Sequence, residues 1–344
     1  MRILYLNAIQ QNAGWGAEWF LDRAFRSLGH FTHCIDFRVN RYRMCRRLAA
    51  APDCDVLFTQ KGDGLSPTLI ASVQRPRFYW ACEVLGVRAE HPVTRQATVY
   101  NAAWQRLPAS GVFDHLFLRT PDCVETAVTE GWVERKNCSI LRSGFEPTIH
   151  RPIASIEKDI DVLFVGSMNQ RRNRMVTEAS ERCEITVAAA YGSEMIKLLN
   201  RAKIVLNMHI SSLLDTETRV YEVLGCRAFL LSERLSAENP FSEADLAQFD
   251  SIEEMVDKVR YYLEHEDERQ AIAWHGHLTA LKGHTYADRA RQILGVMAGN
   301  RDSGASVVPM VRRDADLVRC GLSEYKARLK QVVWVLRQRL VAKA

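Results

Sequence analysis

The sequence predicts an α/β protein made of two doubly wound halves. Short apolar runs alternate with helical stretches from the first residue, the pattern of parallel strands covered by helices on both faces. Around Pro147–Pro152 the chain turns polar and proline-bearing, and the alternation then restarts. A length of 344 residues exceeds one typical domain and fits two.

Strands are expected at Arg2–Asn7, Asp55–Thr59, Arg77–Trp80, His115–Leu118 and Cys138–Leu141. Helices fall near Ala17–Leu28, Tyr42–Ala50 and Pro121–Glu130. Thr120 followed by Pro121 is a cap followed by a proline at the first helical position. After the break, strands are expected at Ile160–Val165, Glu184–Ala189, Ile204–Met208 and Ala228–Leu231. Helices Ile252–His265, Glu268–Leu281 and Tyr286–Val296 close the second half. The expected organisation is a first domain over 1–152, a second over 153–297 and a linker over 298–316. The tail, 317–344, repeats Leu322, Tyr325, Leu329, Val332, Val333, Leu336 and Leu340 at helical spacing among basic residues. That is a basic amphipathic helix, suited to packing on the protein itself, on a second copy, or on an anionic membrane surface or acidic partner.

Composition sets limits. Apolar residues make up 47% of the chain, enough for two cores. A net charge of +5 suits an anionic substrate such as a nucleotide diphosphate and is too small to argue for nucleic acid. Nine cysteines occur without a Cys-x-x-Cys pair, several in apolar runs, which reads as free thiols in a reducing cytosol. The N-terminus opens directly on a strand and shows no leader. No apolar run approaches the ~20 residues of a membrane span.

The chemistry concentrates between Asn207 and Glu233, NMHISSLLDTETRVYEVLGCRAFLLSE. An apolar strand leads through a polar loop to a helix that Thr216 or Thr218 can cap, and a second strand follows. A helix N-terminus behind a strand gathers backbone N–H groups and binds anions. Glu222 lies one turn inside, placed to accept hydrogen bonds from a sugar diol, and Arg219 shares its face. An ordinary helix with a surface Arg–Glu pair would read the same way.

This segment resembles the nucleotide-sugar region of CgeB-type (spore-maturation) glycosyltransferases, a branch of the group 1 family. DVLFVGSMNQRR (161–172) is similar to the family's strand–Gly–Ser–Arg-Arg element. FTQKGDGLSPTLI with FYWACE (58–70 and 78–83) resembles its Lys-Gly and Trp-acidic element. FDHLFLRTPDCVETAVTEGW and GFEPTIHRP (113–132 and 144–152) resemble the close of the first domain, and HTYADRARQIL (284–294) the last helix of the second. The ordered set spans residues 1 to 297. It implies the GT-B architecture, two Rossmann-like domains facing across a cleft, and transfer of a sugar from a nucleotide-diphosphate sugar to an acceptor hydroxyl.

Such transfer needs a held donor, a neutralised leaving diphosphate and an oriented acceptor. No Asp-x-Asp pair follows an apolar strand, so the diphosphate is expected to meet arginine and helix N-termini rather than a metal ion. Donor contacts are expected from Gly166, Ser167, Arg171 or Arg172, Asn207, His209, Thr218, Arg219 and Glu222. In the first domain, Gly14 and Gly16 form a cleft loop and Lys61 follows a strand. Glu83 is the candidate acceptor contact or general base, with His91 a weaker alternative. No cofactor is expected beyond the nucleotide sugar as co-substrate.

Two departures leave alternatives open. Many retaining relatives carry a glutamate eight positions before the one matching Glu222; here position 214 is leucine, with Asp215 beside it, so stereochemistry is open. Arg227 stands where the turn after the helix usually has glycine. Competing readings are a non-catalytic GT-B-like binding protein and another sugar enzyme of this fold, an epimerase or phosphorylase.

Overall fold

The computed structural model describes residues 1–10, 16–40, 43–62, 64–86, 88–90, 97–99, 102–211 and 213–300. Gly14, His91 and the tail over 317–344 therefore lie outside the described residues. The chain divides into two compact units: Met1–Leu141, which it re-enters at Gln292, and Arg142–Arg291.

In the first unit the strands are β1 (Arg2–Asn7), β2 (Phe31–Asp36), β3 (Val56–Gln60), β4 (Arg77–Trp80), β5 (Arg88–Glu90), β6 (Ala97–Val99), β7 (His115–Leu118) and β8 (Cys138–Ile140). The helices are α1 (Ala17–Ser27), α2 (Met44–Ala49), α3 (Pro67–Ala71), α4 (Ala102–Gln105) and α5 (Pro121–Thr129). The sheet runs β2-β1-β3-β4-β7-β8, every pair parallel, while β5 and β6 form a separate antiparallel pair. β2 is a strand the sequence reading passed over. It pairs only with β1, and an edge strand tolerates the polar residues of FTHCID that blur its apolar pattern. At α5 the expected cap is in place: the Thr120 side chain accepts the Cys123 N–H, and Pro121 opens the helix.

The second unit holds β9 (Ile160–Val165), β10 (Thr186–Ala188), β11 (Ala202–Asn207), β12 (Phe229–Glu233) and β13 (Ala247–Phe249). Its helices are α6 (Gln170–Ser180), α7 (Gly192–Arg201), α8 (Thr218–Gly225), α9 (Ile252–Glu264), α10 (Glu266–Gly283) and the start of α11 (Tyr286–Gly299). The sheet order is β10-β9-β11-β12-β13, again parallel throughout. Alternate residues of one strand serve two cores. Leu163 and Val165 of β9 pack with Val205 and Leu230 on one face; Val162 and Phe164 pack with Ile204, Leu206 and Phe229 on the other. Burial on both faces is why these strands read as unbroken apolar runs.

Glycine sets one close approach that matters for the site. A Cβ on Gly225, at the end of α8, would come within 2.4 Å of the Phe145 ring and 3.1 Å of the His150 Cβ. Only glycine lets α8 lie against the Phe145–His150 segment.

Candidate active site

Parallel strands deliver their loops to the carboxyl edge of a sheet, where ligands bind in open α/β folds. In the second unit three loops meet there. β9 ends at Val165 and runs through Gly166 and Ser167 to Asn169, whose side chain caps α6 by accepting the Arg172 N–H at 2.9 Å. β11 ends at Asn207 and continues to His209; β12 ends at Glu233.

Arg172 ties these loops together. Its Nε and Nη2 donate to the Met208 carbonyl at 2.9 and 2.6 Å, and its Nη1 to the Ser167 carbonyl at 2.9 Å. Nη2 also meets Glu217 Oε2 at 3.2 Å, and the guanidinium lies over the Phe164 ring. The side chain is only 8% exposed. Of the two arginines expected to fork onto phosphate, this one is spent inside the protein. Arg171 is a third exposed and grips Glu233, with Nη1 on Oε2 at 3.0 Å and Nη2 on Oε1; Nη1 also donates to the His209 carbonyl at 2.9 Å.

His209 is buried. Its backbone N–H donates to Glu233 Oε2 at 2.8 Å. Its Nε2 stands 2.9 Å from the Arg234 carbonyl, which can only accept, so Nε2 carries a proton. Nδ1 lies 3.7 Å from Glu217 Oε1. Burial opposes protonation, but Glu217, the Arg234 carbonyl and Glu233 outweigh it and raise the imidazole above its ordinary value. Asn207 is buried and donates to Ser232 Oγ at 3.0 Å, a bond between β11 and β12 at the register Asn207↔Ser232. Both residues, expected to face a ligand, instead bind their own sheet.

The expected threonine cap of α8 is corrected. The capping residue is Glu217, and its carboxylate reaches back to Arg172 rather than into the helix. Thr218 Oγ1 meets Ser143 Oγ at 2.8 Å, and the buried Thr216 lies beside Ser236. The first turn of α8 still leaves backbone N–H groups without intrahelical partners. One turn on, Arg219 Nη1 donates to Glu222 Oε2 at 2.8 Å, and His150 Nε2 stands 3.7 Å from Glu222 Oε1. Glu222 keeps 15% of its side chain exposed. Ser167 is exposed and its hydroxyl is 3.3 Å from that of the half-exposed Tyr191. At Gly166 a Cβ would meet only side chains, at 3.5 Å and beyond.

Sequence reasoning missed Glu217, Glu233, His150 and Tyr191. Glu233 had a legible signal, since it ends an apolar strand at the carboxyl edge of the sheet. His150 lies in the GFEPTIHRP segment but its meeting with Glu222 is tertiary, as are those of Glu217 with Arg172 and Tyr191 with Ser167.

In the first unit, Gly16 caps α1 at φ 103°, and Glu18 follows in the first turn. Lys61, just past β3, holds a left-handed backbone at φ 65° and places Nζ 2.7 Å from the buried Glu18 Oε1. Its carbonyl accepts from Tyr79 Oη at 2.5 Å. Burial opposes the lysine charge and Glu18 outweighs it, raising Lys61 above its ordinary value. The pair joins the first turn of α1 to the loop after β3. Positive φ in a non-glycine residue is strain that surroundings must hold, and such strain gathers at functional sites. Glu83 lies three residues past β4 and is half-buried. Among the described residues, no group of three His, Cys, Asp or Glu side chains is arranged to hold a metal ion. Nor is any described helix long and apolar enough to cross a membrane.

Residues 148–295 match the family described as glycosyl transferase-like. No curated protein sequence matches the chain. Among solved structures, HepE from Anabaena, in complex with UDP and glucose, aligns at TM-score 0.63 and 10% identity, over 87% of this chain and all of that one. Sucrose-phosphate synthase from Thermosynechococcus elongatus aligns at 0.64 and 10% identity, over 88% of this chain and 100% of that one. A glycosyltransferase from Rickettsia africae ESF-5 aligns at 0.58 and 10% identity, over 88% of this chain and 99% of that one. The fold of the aligned residues is therefore GT-B. The residues that match the glycosyl transferase-like family include β9, α8 and the edge they build.

Proposed function

We propose that this protein moves a sugar from a nucleotide-diphosphate sugar to an acceptor hydroxyl, without a divalent metal ion. The observation that carries the reading is the Arg219–Glu222 pair, one turn inside α8, behind β11 and within the family-matched residues. A carboxylate held there suits the ribose diol. The first-turn N–H groups of α8 suit the diphosphate, and Arg171 can turn from Glu233 to a phosphate oxygen. Charge developing on the leaving diphosphate would be met by helix dipoles already in place and by Arg171 once it has turned from Glu233. The second unit is then the donor side. The first unit takes the acceptor, on a protein, polysaccharide, lipid or nucleic acid, near Lys61 and Glu83, with Glu83 as base. The ordered motifs favour a CgeB-type enzyme acting in the cytosol. HepE, in complex with UDP-glucose, shares the fold and makes UDP-sugars the first donors to try.

The test is a thermal-shift screen of nucleotide sugars on the full chain, followed by donor hydrolysis. A ligand that binds only the folded protein raises its stability by mass action. Stabilisation by a nucleoside diphosphate and its sugar, with release of the nucleotide, is the expected result. Indifference to every nucleotide would leave the reading without support.

A further inference from the structure

We propose that His150 is a positioning residue for the donor site: its Nε2–H orients the Glu222 carboxylate toward the ribose hydroxyls. The inference rests on the assignment of Glu222 to ribose. Each oxygen of Glu222 has its own neighbour. Oε2 accepts from Arg219 Nη1 at 2.8 Å, and Oε1 faces His150 Nε2 at 3.7 Å. An ionised carboxylate offers about four lone-pair sites; the Arg219 hydrogen bond anchors one oxygen, the His150 N–H dipole, 3.7 Å away and beyond hydrogen-bond length, attracts the other, and sites remain for a diol.

The imidazole is set up for this. His150 is 3% exposed, and its ring packs edge-on against Phe145. Its Nδ1 is 3.1 Å from the Glu146 N–H and 3.2 Å from the Glu146 carbonyl. That carbonyl already accepts the N–H groups of Ile149 and His150, so Nδ1 is best read as accepting from the Glu146 amide. A neutral ring then carries its proton on Nε2, toward Glu222; the other tautomer would set a lone pair against a carboxylate. Burial lowers His150 below the ordinary histidine value despite Glu222, which favours the neutral ring. Gly225 permits the approach, since a Cβ there would meet the Phe145 ring at 2.4 Å and crowd the His150 Cβ at 3.1 Å.

The experiment compares ligand affinities of the full-length protein. The probe is UDP or GDP, whichever binds, beside its 2′,3′-dideoxy analogue. His150→Phe keeps the packing and removes the donor. It is expected to weaken the diphosphate about fivefold through the lost alignment of Glu222, and to leave the dideoxy analogue unchanged. His150→Gln puts an amide N–H where Nε2 was and should restore affinity. His150→Asn places it nearer Nδ1 and should not. Equal losses for both ligands, or no loss for either, overturn the proposal. If His150→Phe does not fold, the Gln and Asn variants carry the same comparison. Glu222→Ala separates the two levels. Should it leave the diphosphate affinity unchanged, the ribose assignment itself fails. If it selectively weakens the ribose-bearing ligand while the histidine variants change nothing, only the role of His150 fails.

Discussion

At the scale of single residues, the donor edge is a set of charges whose neighbours decide their use. Glu222→Ala is expected to leave the fold intact and to weaken nucleoside diphosphate binding. Hydrogen bonds to a charged group contribute about 1.5–3 kcal/mol each, so affinity should fall about ten- to a hundredfold or more. Calorimetric titration of the folded variant checks it. His209 gives a pH signature. Its folded pKa lies above the ordinary 6.5, so the stability it adds is fully present below that value and is lost as pH rises through the folded pKa. The gap in melting temperature between the wild type and His209→Gln should therefore be widest in acid and shrink toward alkaline pH. A gap that is constant with pH would show that the imidazolium–Glu217 contact contributes nothing.

At the scale of elements, α6 presents two adjacent arginines with opposite roles. Arg172→Ala would strand the Met208 and Ser167 carbonyls and take the guanidinium from Glu217. The expected cost is about 3 kcal/mol or more, since an uncompensated buried group loses its full desolvation energy. Arg171→Ala removes a partly exposed pair, worth about 1 kcal/mol or less, yet should slow donor turnover more than it lowers stability. Urea unfolding beside turnover on both variants distinguishes the roles. The opposite ordering would give the phosphate to Arg172 and the structural role to Arg171. The α8 helix adds a packing prediction. Gly225→Ala forces a Cβ against Phe145 and should cost about 1–3 kcal/mol while disturbing the Glu222–His150 approach.

At the scale of the whole molecule, the chain forms two units, each with its own sheet, so its unfolding need not be a single two-state transition. Nucleoside diphosphate should stabilise the second unit first. Hydrogen exchange is expected to slow at residues 166–167 and 217–222 and to stay unchanged at the start of β1. Protection centred on the first unit would exchange the donor and acceptor assignments. Chelation of divalent ions should barely alter donor hydrolysis if helix amides and Arg171 carry the diphosphate; strict dependence on magnesium or manganese would show that a metal stabilises the leaving group.

Sequence alone determined the alternation of strands and helices, the Thr120–Pro121 start of α5 and the position of Glu222 inside α8. Burial on both faces of a parallel sheet writes itself as local apolar runs, and capping acts within one turn. Edge strands such as β2 were weaker signals because only one side is paired. What tertiary structure decided is which charged side chains are free. Arg171 and Arg172 are neighbours in sequence and identical in chemistry. One meets the Met208 carbonyl, 36 residues away, and is buried; the other grips Glu233, 62 residues away, and stays a third exposed. Asn207 and His209 were drawn into their own sheet, and Glu217 replaced threonine as the cap. A polar side chain that enters a low-dielectric interior must take the partners the fold places beside it, and those partners are set by chain crossings that no local pattern records.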